Sequence, residues 1–148
     1  MKNIIVAIDF MKSTPCVLDA AIGVAKAFSA HLYLIHVAAP DPDFDDYERS
    51  PQYERNFIAE QYHKEHRELG GLAAEARQQG IAATALLVQG SAVEKLIQER
   101  ERLQADLMVV GSHGRSAMLQ LMVGSTSEGL IRKARCPIMI IPHNATDG

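Results

Sequence analysis

Cysteine is scarce here: Cys16 and Cys136 are the two among 148 residues, and they form no CxxC pair and no zinc spacing. A disulfide framework is therefore excluded, and both are expected to be thiols that serve as packing residues. Excess positive charge is also lacking. Fifteen Lys and Arg stand against eighteen Asp and Glu, a formal net charge of −3 at pH 7. General nucleic-acid binding usually needs a basic face, so no nucleic-acid partner is expected. The apolar runs fall far short of a membrane span, so no membrane partner is expected either. The opening Met1-Lys2-Asn3 runs straight into a strand pattern without signal-peptide architecture, which makes a cytoplasmic protein the default. Two nucleotide fingerprints are missing as well. There is no GxxxxGK[ST], hence no P-loop lysine, and no GxGxxG after the first strand.

What is present is a regular alternation of strand and helix patterns, with 47% hydrophobic residues, suited to a single domain over 1–148. Asn3 to Asp9 is a nearly continuous apolar run ending in a carboxylate, the pattern of a parallel strand buried on both faces. Thr14-Pro15 reads as an N-cap with proline at N1, and Val17, Leu18, Ala21, Ile22, Ala25 and Phe28 follow at helical spacing. His31 to Val37 is a second strand. An acidic loop spans Ala39 to Pro51. Tyr53 to Gln79 is a polar helix that the Gly70-Gly71 pair is expected to bend or split. Ile81 to Val88 and Asp106 to Val110 are further strands, with a helix between them marked by Val93, Leu96, Ile97 and Leu103. A fourth helix lies within Leu119 to Arg135, most securely from Ser125 onward, and Cys136 to Pro142 is the fifth strand. Strands alternating with helices indicate an α/β fold, a parallel sheet with helices on both faces. Ligands of such sheets bind beyond the strand carboxyl ends, where strand order reverses.

Two strand ends carry suggestive residues: Asp9 on the first, Gly111 on the fourth. Gly111-Ser112-His113-Gly114-Arg115 follows the fourth strand directly, and Gly124-Ser125-Thr126-Ser127 opens the next helix. Glycine lets backbone approach a ligand closely. A helix N-terminus offers unpaired N–H groups and partial positive charge. Together they favour an anion, most naturally phosphate. Other clusters read as surface. His63 and His66 have i, i+3 spacing but no evident third metal ligand, and Asp41 to Asp46 lacks the glycine and glutamate of a calcium loop. Arg132, Lys133 and Arg135 close a helix, where cations suit its dipole.

The spacing Gly111-x2-Gly114-x9-Gly124-Ser125 resembles the G-x2-G-x9-G-[S/T] motif of the universal stress proteins. The resemblance extends to Ile4-Ile5-Val6-Ala7-Ile8-Asp9, His36-Val37, Val88-Gln89-Gly90, the segment Ala105 to Gly111, and Cys136 to Pro142, in the family's order. It implies a Rossmann-like, adenine nucleotide alpha hydrolase-like sheet of strand order 3-2-1-4-5, usually dimeric. The full glycine motif marks the subset of the family that binds ATP. Carried over by position, Ala7, Ile8 and Asp9 border the nucleotide, with Asp9 by the ribose, and Val37 offers backbone contacts to adenine. Gly111 and Gly114 line the cleft, while Gly124, Ser125 and Thr126 hold phosphates. Arg115, next in the loop, reads either as a long side chain beside the phosphates or as a solvated loop residue. Mg²⁺ would be bound through those phosphates. Many members have a serine two residues after the aspartate; here that residue is Met11, with Ser13 as the candidate replacement.

The expected function is then an ATP-binding regulatory or stress-response module that reports to an unidentified protein partner. Two other readings stand beside it: a slow Mg-dependent ATPase or phosphotransferase, and a structural dimer stabilised by nucleotide. Phosphoryl transfer needs charge neutralisation and an oriented nucleophile, and neither a P-loop lysine nor a committed base is evident. Efficient turnover is not expected. In strand order 3-2-1-4-5 the apolar last strand is an edge, which predicts a homodimer through Ile138 to Ile141.

Overall fold

The computed structural model describes residues 1–38, 52–112 and 125–142. Five strands are described: β1 (Asn3–Ala7), β2 (His31–Ala38), β3 (Ala83–Gln89), β4 (Leu107–Gly111) and β5 (Ile138–Ile141). They form one sheet in the order β3-β2-β1-β4-β5, every pair parallel. Four helices are described between them: α1 (Thr14–Phe28), α2 (Gln52–Gln78), α3 (Ala92–Leu103) and α4 (Ser125–Lys133).

The central strands are apolar on both faces because both faces are covered. Ile4, Val6, Leu32, Leu34 and Val109 point to one side, where α1 packs through Val17, Leu18, Ala21, Ile22 and Ala25 and α2 through Leu69, Ala73 and Ala76. Ile5, Ile35, Met108 and Val110 point to the other, against Leu96 of α3 and Leu130 of α4. The alternation within each strand is the period-two geometry of extended chain.

Several boundaries differ from the sequence reading. β1 stops at Ala7, two residues short of Asp9. The Ile8 N–H still donates to the Ile35 carbonyl at 2.8 Å, but Phe10 then takes a left-handed φ of 59° and the chain leaves the sheet. Ser13, not Thr14, is the N-cap of α1; it makes no side-chain capping bond, and Thr14 is already helical. α2 is a single helix of 27 residues that runs unbroken through Gly70-Gly71. A helical glycine costs only about 1 kcal/mol relative to alanine, and the Leu69, Ala73 and Ala76 stripe that flanks the pair is fully buried on the sheet. Cys16 is exposed, so it is no packing residue: Val17, Leu18 and Ala21 take the inward face of α1 and turn position 16 outward. Cys136 is half-buried, and both thiols are free. The Asp41 to Asp46 cluster and the start of the predicted fourth helix, 119–124, lie outside the described residues.

Candidate functional site

β1 and β4 are direct neighbours, paired Ile4 to Leu107 through Val6 to Val109. Chain leaving β1 returns through β2 on one side, and chain leaving β4 goes on to β5 on the other, so their carboxyl ends flank the point where strand order reverses. A cleft of about 230 Å³ opens there. Ala7, Ile8 and Asp9 border it from β1, Ile35, His36 and Val37 from β2, and Val110 and Gly111 from β4. Ala92 and Leu96 of α3 and Thr126 and Ser127 of α4 complete the described wall.

Asp9 is exposed and uses one carboxylate oxygen locally. Its Oδ1 accepts the Met11 N–H at 2.9 Å and lies 3.5 Å from the Thr14 hydroxyl. That pins the turn which carries the chain from β1 into α1. Among the described residues Oδ2 makes no hydrogen bond, so an acceptor remains at the cleft edge.

Gly111 lacks a Cβ for a reason the motif did not disclose. A Cβ there would stand 3.0 Å from Val17 Cγ2 and 3.4 Å from Ser13 Oγ, so the bare backbone lets α1 close onto the end of β4. Its φ is not left-handed. Ser13 is buried in that contact, and Met11 is 51% exposed.

The first turn of α4 is seated by two contacts. The Ser127 hydroxyl, 2% exposed, donates to the Gly111 carbonyl at 3.1 Å. Two residues further on, Gly129 abuts α3 so closely that a Cβ would lie 2.7 Å from Val93 Cγ2. The helix N-terminus, with its unpaired N–H groups and positive dipole end, is thereby turned to the cleft at Thr126. Such a wall can accept an anion, while the strand ends at Ile35, Val37 and Val110 offer an apolar floor.

Of the residues expected from sequence, Ala7, Ile8, Asp9, Val37, Gly111 and Thr126 meet at this cleft. Ser125 begins α4, and Gly114, Arg115 and Gly124 lie outside the described residues. Sequence reasoning missed Ala92, Leu96 and the tether at Ser127. It also gave no role to His36, whose ring sits on the far face of the sheet from α3 and α4. The one available signal was a histidine at the end of the apolar run Leu34-Ile35 in β2. His63 and His66 are exposed on α2.

The sequence profile of the universal stress protein family matches residues 1–142. The chain belongs to the universal stress protein family. A putative universal stress protein of Staphylococcus aureus (strain USA300) is 26% identical, with 95% of this chain and 83% of that protein covered. Among solved structures, a universal stress protein family member from Burkholderia pseudomallei superposes with a TM-score of 0.74 at 27% identity, covering 96% of each chain. A universal stress protein from Archaeoglobus fulgidus, solved in complex with dAMP, superposes with a TM-score of 0.65 at 18% identity over 95% of this chain and 98% of its own. Family membership and the strand order β3-β2-β1-β4-β5 agree with each other. Among the described residues, no helix is long and apolar enough to cross a membrane.

Proposed function

We propose that this chain binds an adenine nucleotide, ATP, at the carboxyl ends of β1 and β4, and works as a nucleotide-responsive regulatory module of the universal stress protein family. The observation that carries the reading is the convergence of three unlike groups on one cleft. These are the uncommitted Oδ2 of Asp9, the apolar strand ends, and the N-terminal turn of α4. Adenine suits the apolar floor beside Val37, and ribose hydroxyls suit the Asp9 carboxylate. Phosphates suit the N–H groups and hydroxyl around Thr126. By the motif spacing, Gly114, Arg115, Gly124 and Ser125 would complete the phosphate contacts, with Mg²⁺ held through the phosphates. The dAMP bound by the Archaeoglobus fulgidus protein supports an adenine nucleotide as the ligand class.

No lysine or arginine and one carboxylate stand among the described residues of the cleft wall. Phosphoryl transfer needs charge neutralisation and an oriented nucleophile. The sequence has no P-loop lysine, and the reading gives ATP the part of a bound signal with slow hydrolysis at most. It also includes a single domain over 1–148, a cytoplasmic location, and a homodimer through the half-buried edge strand Ile138–Ile141 that presents the nucleotide state to a protein partner.

Calorimetric titration with ATP tests the site. Gly124→Asp puts a side chain and a negative charge beside the proposed phosphate position. Affinity should fall at least about tenfold, equivalent to about 1.4 kcal/mol. A folded variant with wild-type affinity would overturn the assignment.

A further inference from the structure

We propose that His36 is a positioning residue, resting on the nucleotide-binding reading, whose protonation ties α2 to the Asp9 turn and raises the affinity of the cleft for adenine nucleotide. The ring is half-buried and makes three contacts, two with the β1 exit and one with α2. Its Nδ1 lies 2.7 Å from the carbonyl oxygen of Ile8, the residue before Asp9. A carbonyl only accepts, so Nδ1 carries the proton. The ring also packs on Phe10, the residue after Asp9, with centroids 4.6 Å apart. Phe10 holds a left-handed φ of 59°, a conformation that a bulky residue keeps only when its surroundings impose it. Asp9 is thus gripped on both sides by one imidazole.

The third contact decides the chemistry. Nε2 lies 3.4 Å from Oε2 of Glu65, which projects from α2. With Nδ1 committed as donor, neutral His36 turns a lone pair on Nε2 toward a carboxylate, and two acceptors face each other. A proton on Nε2 converts this into a charge-assisted contact between β2 and α2. The other groups around the ring do not oppose that proton. Glu65 Oε1 accepts from uncharged Gln61 at 3.3 Å, the ladder neighbour on β3 is Leu87, and the next titratable group along the β1 exit is Asp9 itself. Among the described residues no cation contacts His36. The protonated ring therefore holds Ile8, Phe10 and α2 together. The neutral ring keeps its Nδ1–H on the Ile8 carbonyl but loses the attraction to Glu65 that braces it from α2, and affinity drops when Nε2 loses its proton.

The test titrates ATP into wild type, His36→Asn and Glu65→Gln at about pH 6 and about pH 8. Asparagine keeps a donor for the Ile8 carbonyl but cannot pair with Glu65. The phosphates of ATP titrate identically with all three proteins, so the difference between profiles belongs to the protein. Wild type should gain about fivefold more affinity at the lower pH than either variant. Equal profiles would overturn the proposal. A second readout needs no ligand: the Met11 amide resonance, which reports the Asp9 turn, should follow the imidazole titration of His36 in wild type and not in Glu65→Gln. A Met11 amide indifferent to that titration would also overturn it. Absence of ATP binding at both pH values would instead remove the nucleotide reading and leave the amide titration to decide the coupling.

Discussion

Two aspartates sit at opposite ends of the same pair of central strands, and they do different work. Asp106 precedes β4 at the amino end of the sheet. One of its oxygens, Oδ2, accepts the N–H groups of Lys2 at 2.7 Å and Asn3 at 3.0 Å, and its own N–H donates to the Asn3 carbonyl at 2.7 Å. Asn3 Nδ2 then reaches the Leu103 carbonyl at 3.0 Å. These bonds tie the amino ends of β1 and β4 together. The backbone N–H groups of Asn3 and Lys2 hold the Asp106 carboxyl below its usual range. Nearby, His31 packs on Tyr33 and bonds the Thr84 hydroxyl at 2.7 Å, and burial lowers its pKa. At the carboxyl end Asp9 pins only its own turn and leaves Oδ2 uncommitted. The same side chain ties β1 to β4 at the amino end, closing the gap between the strands there, and pins only its own turn at the open carboxyl end. The lesson is that a carboxylate at a strand end signals a site only after its hydrogen bonds have been accounted for.

The largest expected effect sharpens the contrast from the open end. Gly129→Ala places a Cβ where Val93 already stands, and repacking of this kind costs about 1–3 kcal/mol. Chemical denaturation should show that loss, and Val93→Ala in the same chain should recover most of it. Recovery would locate the strain in the seat of α4 over the cleft. A neutral Gly129→Ala would mean that this seat has slack.

A smaller effect belongs to the closed end. The carboxyl pKa of Asp106 is depressed in the folded chain, so its stabilisation is complete above the unfolded value of about 3.9 and is lost as pH falls through the folded value. Asp106→Asn should therefore be less stable than wild type by a constant margin above about pH 5, with the margin closing as acid is added. Denaturation midpoints measured across that range check it. The group is exposed, so the margin is modest. A margin that widened in acid would reverse the assignment.

The fold was legible because its evidence is local. The two-sided apolar runs of β1 and β4, the helical spacing of Val17 to Ala25 and the prolines around β5 each declare an element, while the order of the strands came from the family resemblance. Part of the candidate site was legible for the same reason: Gly111 ends β4, and Asp9 follows two residues after β1. What stayed hidden depends on tertiary partners. His36 meets Ile8 and Glu65 only after three segments pack, and nothing in the periodicity of β2 names those partners. Gly111 was readable as a glycine but not as the place where α1 closes on β4. Ser127 resembles its neighbours Ser125 and Thr126 in sequence, yet its hydroxyl is committed to the Gly111 carbonyl. The Gly70-Gly71 pair misled because the anchoring of α2 on the sheet outweighs a local preference for bending.

The central claim is that the open end, through Asp9, receives an adenine nucleotide while the closed end does not take part. Calorimetric ATP titration of Asp9→Asn beside Asp106→Asn tests it most directly. Asparagine at position 9 keeps an acceptor for the Met11 N–H but replaces the uncommitted oxygen and removes the charge. ATP affinity should fall at least about tenfold in Asp9→Asn and stay at the wild-type value in Asp106→Asn. Equal affinity in wild type and Asp9→Asn, or equal loss in both variants, would contradict the account.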